Sequence, residues 1–298
     1  MSRLVLAAAL LPAALGFLAS PAPRQPGALT ALHARRPIMA GNWKMNPNTV
    51  EEATKLASTV AVASLDAADV DVALCVPFPF IESVKRAVEA EVDECAIDSK
   101  APCEPVSVAA QSCFFEDSGA FTGSVSISMI KSMGVEYVLA GHSERRTLFK
   151  EDDGAINKKV RKVLDAGLGV ILCIGESFDE YQANLADTVC RIELSKDLDG
   201  VTEDELARVV IAYEPVWAIG TGLTCEPKVA QKVHEGIRAW FSEKYSPAAA
   251  DAMRIQYGGS VTDETVDNLM RQPDIDGCLV GGASLKPDIF SRIIHFKA

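Results

Sequence analysis

The sequence predicts an α/β chain closed into a single (β/α)8 barrel, and two observations carry that expectation. Eight short apolar runs, beginning near Ile38, Val70, Val106, Tyr137, Gly169, Val209, Ile255 and Gly277, alternate with stretches bearing helical punctuation. No shift in composition interrupts the alternation after residue 37, so nothing marks a second domain. An open, doubly wound sheet is the competing architecture. It would normally carry a glycine-rich turn after its first strand, where this chain has Gly41-Asn42-Trp43-Lys44.

Residues 1–36 are set apart from that fold as a leader. No Asp or Glu precedes Glu51, whereas Arg3, Arg24, Arg35 and Arg36 do. Leu4 to Leu18 is apolar but short for a membrane span, contains Pro12, and sits where a signal-peptide core would. The basic, acid-free segment from Pro21 to Arg36 then reads as a transit peptide. Signal-like followed by transit-like resembles the two-part leader of proteins sent to plastids bounded by extra membranes; a mitochondrial leader or plain secretion are the alternatives.

The composition narrows the function classes. Apolar residues at 48% and charged ones at 23% are globular values. A net charge of −12 offers no basic footprint for a nucleic acid, although a few aimed donors could still hold a small anion. The eight cysteines are scattered without a C-x-x-C pair and mostly have apolar neighbours, as in Val-Ala-Leu-Cys75, so buried free thiols are expected. A redox pair between Cys95 and Cys103 is the less favoured reading. After the leader only His142, His234 and His295 remain, none in ligand spacing with cysteine, so no metal site is expected.

Helices are expected at several places. Thr49 with Glu52 three residues on forms a capping box for a helix through Leu65. A helix from about Ala155 ends at Gly167, a residue suited to the turn beyond a helix. Another runs from Glu226 to Tyr245 with Val229, Val233, Ile237 and Trp240 on one face, and Ser260–Gln272 and Pro287–Phe296 read similarly.

In such a barrel chemistry gathers where strands end at the carboxyl face. The first strand ends at Asn42 and Lys44, an amide and a fixed positive charge expected to alternate to one side. A lone lysine there is usually a solvated group. The third opens into a long loop, Gln111 to Gly123, whose Phe121 commonly just folds back. The fourth leads into Gly141-His142-Ser143-Glu144-Arg145-Arg146, placing His142 at the start of a short helix where backbone N–H groups point at its ring. An ordinary histidine bonded to a strand-end carbonyl is the plain alternative. The fifth ends in Cys173-Ile174-Gly175-Glu176, read as structural. The sixth carries Glu214 to the root of an apolar flap, Pro215 to Gly222. A carboxylate under a cover that excludes water suits proton abstraction, and a surface ion pair is the bland reading. The seventh and eighth end in Gly258-Gly259-Ser260 and Gly281-Gly282, whose amides can approach an anion. One such pair is most often a mere turn; two, after these strands, match the phosphate site of barrels of this kind.

Tyr213–Gly222 resembles the lid signature of the triosephosphate isomerase family. The His142 string, the Asn42–Lys44 stretch, the loop ending Ser118–Gly123 and the paired glycines agree with it in the same order, from Pro37 to the C-terminus. The resemblance implies a TIM barrel that interconverts dihydroxyacetone phosphate and D-glyceraldehyde 3-phosphate through an enediolate, without cofactor, in glycolysis, gluconeogenesis and the Calvin cycle. It implies Glu214 as base, neutral His142 as electrophile and Lys44 as the compensating charge. Asn42, Lys44, Gly220, Ser260, Gly281 and Gly282 would bind substrate, with Ser143, Glu144 and Cys173 in support. It further implies a homodimer in which the loop bearing Phe121 and Thr122 reaches the partner's site. Ser112 and Ser124 depart from the family pattern, which has Asn and an interface-pairing Glu there. The acidic stretch 91–106 is longer than usual and reads as a surface excursion far from the chemistry. A sugar-phosphate aldolase would need a lysine deep in a late strand, and the runs at Val209, Ile255 and Gly277 contain none. A catalytically dead phosphosugar-binding protein is the reading from another class; a coupled assay on either triose phosphate separates it.

Overall fold

The computed structural model describes residues 35–67, 69–98, 106–221 and 223–298. Of the leader expected over residues 1–36, only Arg35 and Arg36 are among the described residues; Cys103 and Gly222 also lie outside them.

The apolar runs become strands β1 (Ile38–Asn42), β2 (Asp71–Val76), β3 (Ser107–Ala110) and β4 (Tyr137–Ala140), then β5 (Gly169–Ile174), β6 (Val209–Tyr213), β7 (Arg254–Tyr257) and β8 (Gly277–Val280). Between and after them run α1 (Val50–Ser64), α2 (Ile81–Asp98), α3 (Ile127–Ser132), α4 (Ser143–Leu148), α5 (Asp153–Asp165), α6 (Phe178–Gln182) and α7 (Ala186–Asp197). The remainder are α8 (Pro227–Lys244), α9 (Pro247–Ala252), α10 (Val266–Met270) and α11 (Pro287–Ile294). The strands pair in sequence order and in parallel, and β1 bonds both β2 and β8, so the sheet closes. Closure rules out the open sheet.

Strands buried on both faces explain why they read as unbroken apolar runs rather than alternating ones. Ile38, Ala40, Ala73, Cys75, Ala109, Leu139, Ile171, Cys173, Val210, Ala212 and Leu279 form the inner cluster. Their strand neighbours, such as Met39, Leu74 and Val138, pack outward with the helices. Many inner residues are small, which suits the narrow interior of an eight-stranded barrel.

The expected caps are present: Thr49 and Glu52 exchange both capping-box bonds at the start of α1. α5 begins at Asp153 rather than Ala155, because the Asp152 side chain accepts the N–H of Ala155 and sets the first turn earlier. The helix expected over Ser260–Gln272 forms only as α10. Thr262 and Thr265 accept each other's backbone N–H on their hydroxyls, at 3.2 and 3.0 Å, and this local turn competes with helix until Val266. The first part of the acidic stretch, through Asp98, is a continuation of α2 rather than loop. Cys95, on that helix, is disulfide-bonded, whereas a free thiol was expected. It is half-buried, unlike Cys75, Cys113, Cys173, Cys190, Cys225 and Cys278, which are free and buried. Among the described residues no helix is long and apolar enough to cross a membrane.

At the amino end of the barrel, charge pairs tie the first and last strands. Asp276 receives Arg35 at 2.5 Å and Arg238 at 2.7 Å, and Asp71 receives Arg36 at 2.9 Å and Arg254 at 2.7 Å. The N–H of Ile38 donates to the Asp276 carbonyl at 3.0 Å, completing the seam.

Candidate active site

Glu214 follows β6 directly, and its carboxylate is buried, 2% exposed. Its Oε2 accepts the N–H of Ser143 at 2.8 Å, and its Oε1 lies 3.1 Å from His142 Nε2. A buried carboxylate needs such donors, and here both come from the first turn of α4. Gly258 sits close against it: a Cβ added there would come within 2.9 Å of Glu214 Cγ.

His142 is the N-cap residue of α4, and its Nδ1 accepts the N–H of Glu144 at 3.2 Å. A nitrogen that accepts carries no proton, so the ring is the neutral tautomer with its proton on Nε2, donating to Glu214.

Lys44 does not continue the alternation of β1. It takes a left-handed backbone, φ 53°, its N–H donates to Asn42 Oδ1 at 3.0 Å, and its Nζ meets Glu144 Oε1 at 2.5 Å. Gln111 holds that conformation from β3, its amide donating to the carbonyls of Lys44 at 2.7 Å and Cys75 at 3.0 Å. The lysine stem passes over Gly281, whose added Cβ would lie 3.5 Å from Lys44 Cε. The cation therefore stands beside the Gly281-Gly282 turn. Ser260 and Gly282 are exposed at the ends of β7 and β8, open to an incoming anion.

The flap is fixed at its root and exposed at its tip. Trp217 Nε1 donates to Glu176 Oε1 at 2.7 Å and stacks on Tyr181 with centroids 4.2 Å apart. Tyr213 OH donates to the same Glu176 oxygen at 3.1 Å, while Gly220 and Thr221 are exposed. Burial raises the Glu176 carboxyl above its usual value, against these two donors.

Arg146 lies beneath both catalytic turns. Its Nε donates to the Gly141 carbonyl at 2.8 Å and its Nη2 to the Cys173 carbonyl at 3.3 Å, and it pairs with Asp153 and Asp197. Burial disfavours the guanidinium charge, but Glu193, Asp197 and Asp153 outweigh it and raise the Arg146 pKa. Cys173 is wholly buried inside the barrel, and burial first, then Glu214, pushes its thiol well above the usual range.

The structure thus brings Glu214, His142, Ser143, Glu144, Lys44 and Asn42 together, with Cys173 beneath. Phe121 and Thr122 stand on the β3–α3 loop instead. Phe121 turns back onto Phe114, centroids 4.8 Å apart, yet stays 42% exposed.

The family profile described as Triosephosphate isomerase matches residues 37–297. Curated triosephosphate isomerases are similar over nearly their whole lengths. That of Roseiflexus sp. (strain RS-1) is 45% identical over 262 residues, covering 88% of this chain and 98% of the relative. Those of Syntrophotalea carbinolica and Alkaliphilus metalliredigens are 44% and 43% identical, over 89% and 88% of this chain and 99% and 100% of theirs. The chain belongs to the triosephosphate isomerase family. It is accordingly an isomerase, and the site above is its candidate catalytic centre.

Sequence reasoning missed Gln111, Glu176, Glu193 and Arg146 as parts of this isomerase site. Glu176 had the same signal as Glu214, an acid just past an apolar strand. Gln111 also follows its strand directly, but a lone amide at that place carries no distinctive pattern.

Proposed function

We propose that this enzyme interconverts dihydroxyacetone phosphate and D-glyceraldehyde 3-phosphate with Glu214 as base and His142 as electrophile. The observation that carries the reading is the 3.1 Å contact between Glu214 Oε1 and a His142 Nε2 that must bear the ring's proton. Glu214 takes a proton from the carbon next to the carbonyl, and the electron pair moves to the carbonyl oxygen as the enediolate forms. The Nε2–H of His142 and the Lys44 ammonium face that oxygen, replacing water's stabilisation with fixed donors. His142 carries the hydroxyl proton between the two oxygens, and Glu214 returns its proton to the neighbouring carbon. Substrate must displace the carboxylate from Ser143 and His142, which frees both base and donor at once. The amides near Gly220, Ser260, Gly281 and Gly282, with Lys44 and Asn42, grip phosphate, and the flap tip closes over it to exclude water. Glu214→Gln keeps size and polarity but removes the base. Turnover should fall by roughly 10²–10⁴-fold with phosphate inhibition nearly unchanged; near-normal turnover would overturn the assignment.

The same reading includes a homodimer. A cavity of about 420 Å³ lined by Ser112, Phe115, Ser124, Arg145, Glu151 and Lys159 supports it. So does the exposure of Met45, Leu148 and Phe149, apolar side chains that a second copy would cover. The leader reading places the enzyme in a plastid, serving glycolysis, gluconeogenesis and the Calvin cycle. A fluorescent fusion of residues 1–36 tests it, and mitochondrial or secreted fluorescence would reject it.

A further inference from the structure

The parallel ladder between β5 and β6 ends at the pair Ile174–Tyr213, one residue short of the proposed base. Beyond it, the peptide group joining Tyr213 to Glu214 is held on the β7 side by the Gly258 N–H, which donates to the Tyr213 carbonyl at 2.7 Å, and on the β5 side by the peptide group joining Ile174 to Gly175. That group is a rigid plane with both polar ends engaged. Its carbonyl accepts the Glu214 N–H at 2.7 Å, and its N–H donates to Glu193 Oε2, from α7, at 2.8 Å. There is no slack on the other side: Gly175 has φ 157°, and a Cβ added there would lie 1.8 Å from the Glu214 carbonyl oxygen.

We propose that Glu193 is a positioning residue for the isomerisation: its carboxylate sets the Ile174–Gly175 peptide, and that peptide sets the backbone of Glu214. The proposal rests on the reading of Glu214 as the base. Glu193 supplies the acceptor that a longer neighbouring strand would otherwise have given, and as a carboxylate it makes the stronger, charge-assisted bond. A donor end polarised in this way strengthens the carbonyl end of the same peptide as an acceptor for Glu214. The carboxylate is itself placed by Arg146, whose Nη1 lies 3.4 Å from Glu193 Oε1 and which also grips the carbonyls of Gly141 and Cys173. One side chain on α7 thereby joins the frame that carries both His142 and Glu214. The charged and titratable groups around it are Arg146 on α4, Asp153 on α5, Glu180 on α6, Cys190, Lys196 and Asp197 on α7, and Cys173 on β5.

The test is the rate of glyceraldehyde 3-phosphate isomerisation, per folded molecule, for the full chain and its Glu193→Leu, Glu193→Gln and Glu214→Gln variants, with inorganic phosphate as the inhibitor. Glu193→Leu removes the acceptor and should lower kcat about 10–100-fold, leaving KM and phosphate inhibition within about twofold. Glu193→Gln keeps an oxygen for the Gly175 N–H and should recover kcat to within about threefold of wild type. A loss that fell on KM, a wild-type kcat in Glu193→Leu, or a Glu193→Gln as slow as Glu193→Leu would overturn the proposal. An inactive Glu214→Gln beside a fully active Glu193→Leu rejects the positioning role alone; an active Glu214→Gln rejects the base and the positioning role with it. Should Glu193→Leu fail to fold, Glu193→Asp decides by the same criteria, since it keeps the charge for Arg146 but withdraws the oxygen from Gly175.

Discussion

Raising the pH from about 5 to 8 should destabilise the barrel through the buried cluster around Arg146. Three carboxylates, Asp153, Glu193 and Asp197, face two cations, Arg146 and Lys196. One negative charge is therefore left without a partner. Burial pushes Glu193 and Asp197 each up to about 7, from 4.5 and 3.8, against the attraction of Arg146. Asp153, although burial acts the other way, is held below its usual value by Lys196 and Arg146. Asp197 Oδ1 has no hydrogen-bond partner, so no donor there offsets the cost of burying its charge. A raised carboxyl favours the folded state where the unfolded chain is still protonated, below about pH 4, and loses that contribution as pH rises towards about 7. The two acids share one proton, so it is counted once. At about 1.36 kcal/mol per pH unit, the loss between pH 5 and 7 is about 2–3 kcal/mol. Urea titrations at fixed protein concentration across pH 5–8 should show that fall in the wild type. In Asp197→Asn, which keeps an oxygen for Arg146 but no charge, the curve should be flatter by about 2 kcal/mol. Parallel curves for the two proteins would refute the reasoning.

Other outcomes follow from single contacts. Thr49→Ala breaks the capping box of α1, in which Glu52 N donates to Thr49 Oγ1 at 3.2 Å, and should cost about 1 kcal/mol in urea without changing turnover. Sedimentation should show a dimer at micromolar concentration, and Thr122→Arg on the exposed loop should shift it to monomer; a wild-type monomer would reject the homodimer.

The eight strands were legible because a parallel strand buried on both faces must be apolar throughout, and each begins within a residue of its run, as Asp71 does for Val70 and Arg254 for Ile255. His142 and Glu214 were legible because they stand two residues and one residue beyond such runs, where the chain can no longer be core. The left-handed turn at Lys44 was not, since it is held by Asn42 two residues before it and by Gln111, just past β3. Glu193 was invisible for the same reason: on α7 it is one more polar residue on an amphipathic helix, and only the end of the β5 ladder gives it work. The shortened α10 shows local chemistry overriding periodicity, through two threonines that bond each other's backbone.

If the proposed leader is removed, the guanidinium of Arg35 makes the place of the cut matter. It is clasped by the Asp276 carboxylate and the carbonyls of Asp251 and Pro273, just upstream of the first strand. A processing peptidase that cut at Pro37 would discard this clasp together with the Arg36–Asp71 pair, leaving Asp276 to Arg238 alone among its arginines. A cut upstream of Arg35 would retain a two-residue buckle across the barrel's opening, so on the proposed leader reading the place of the cut would decide whether that buckle survives.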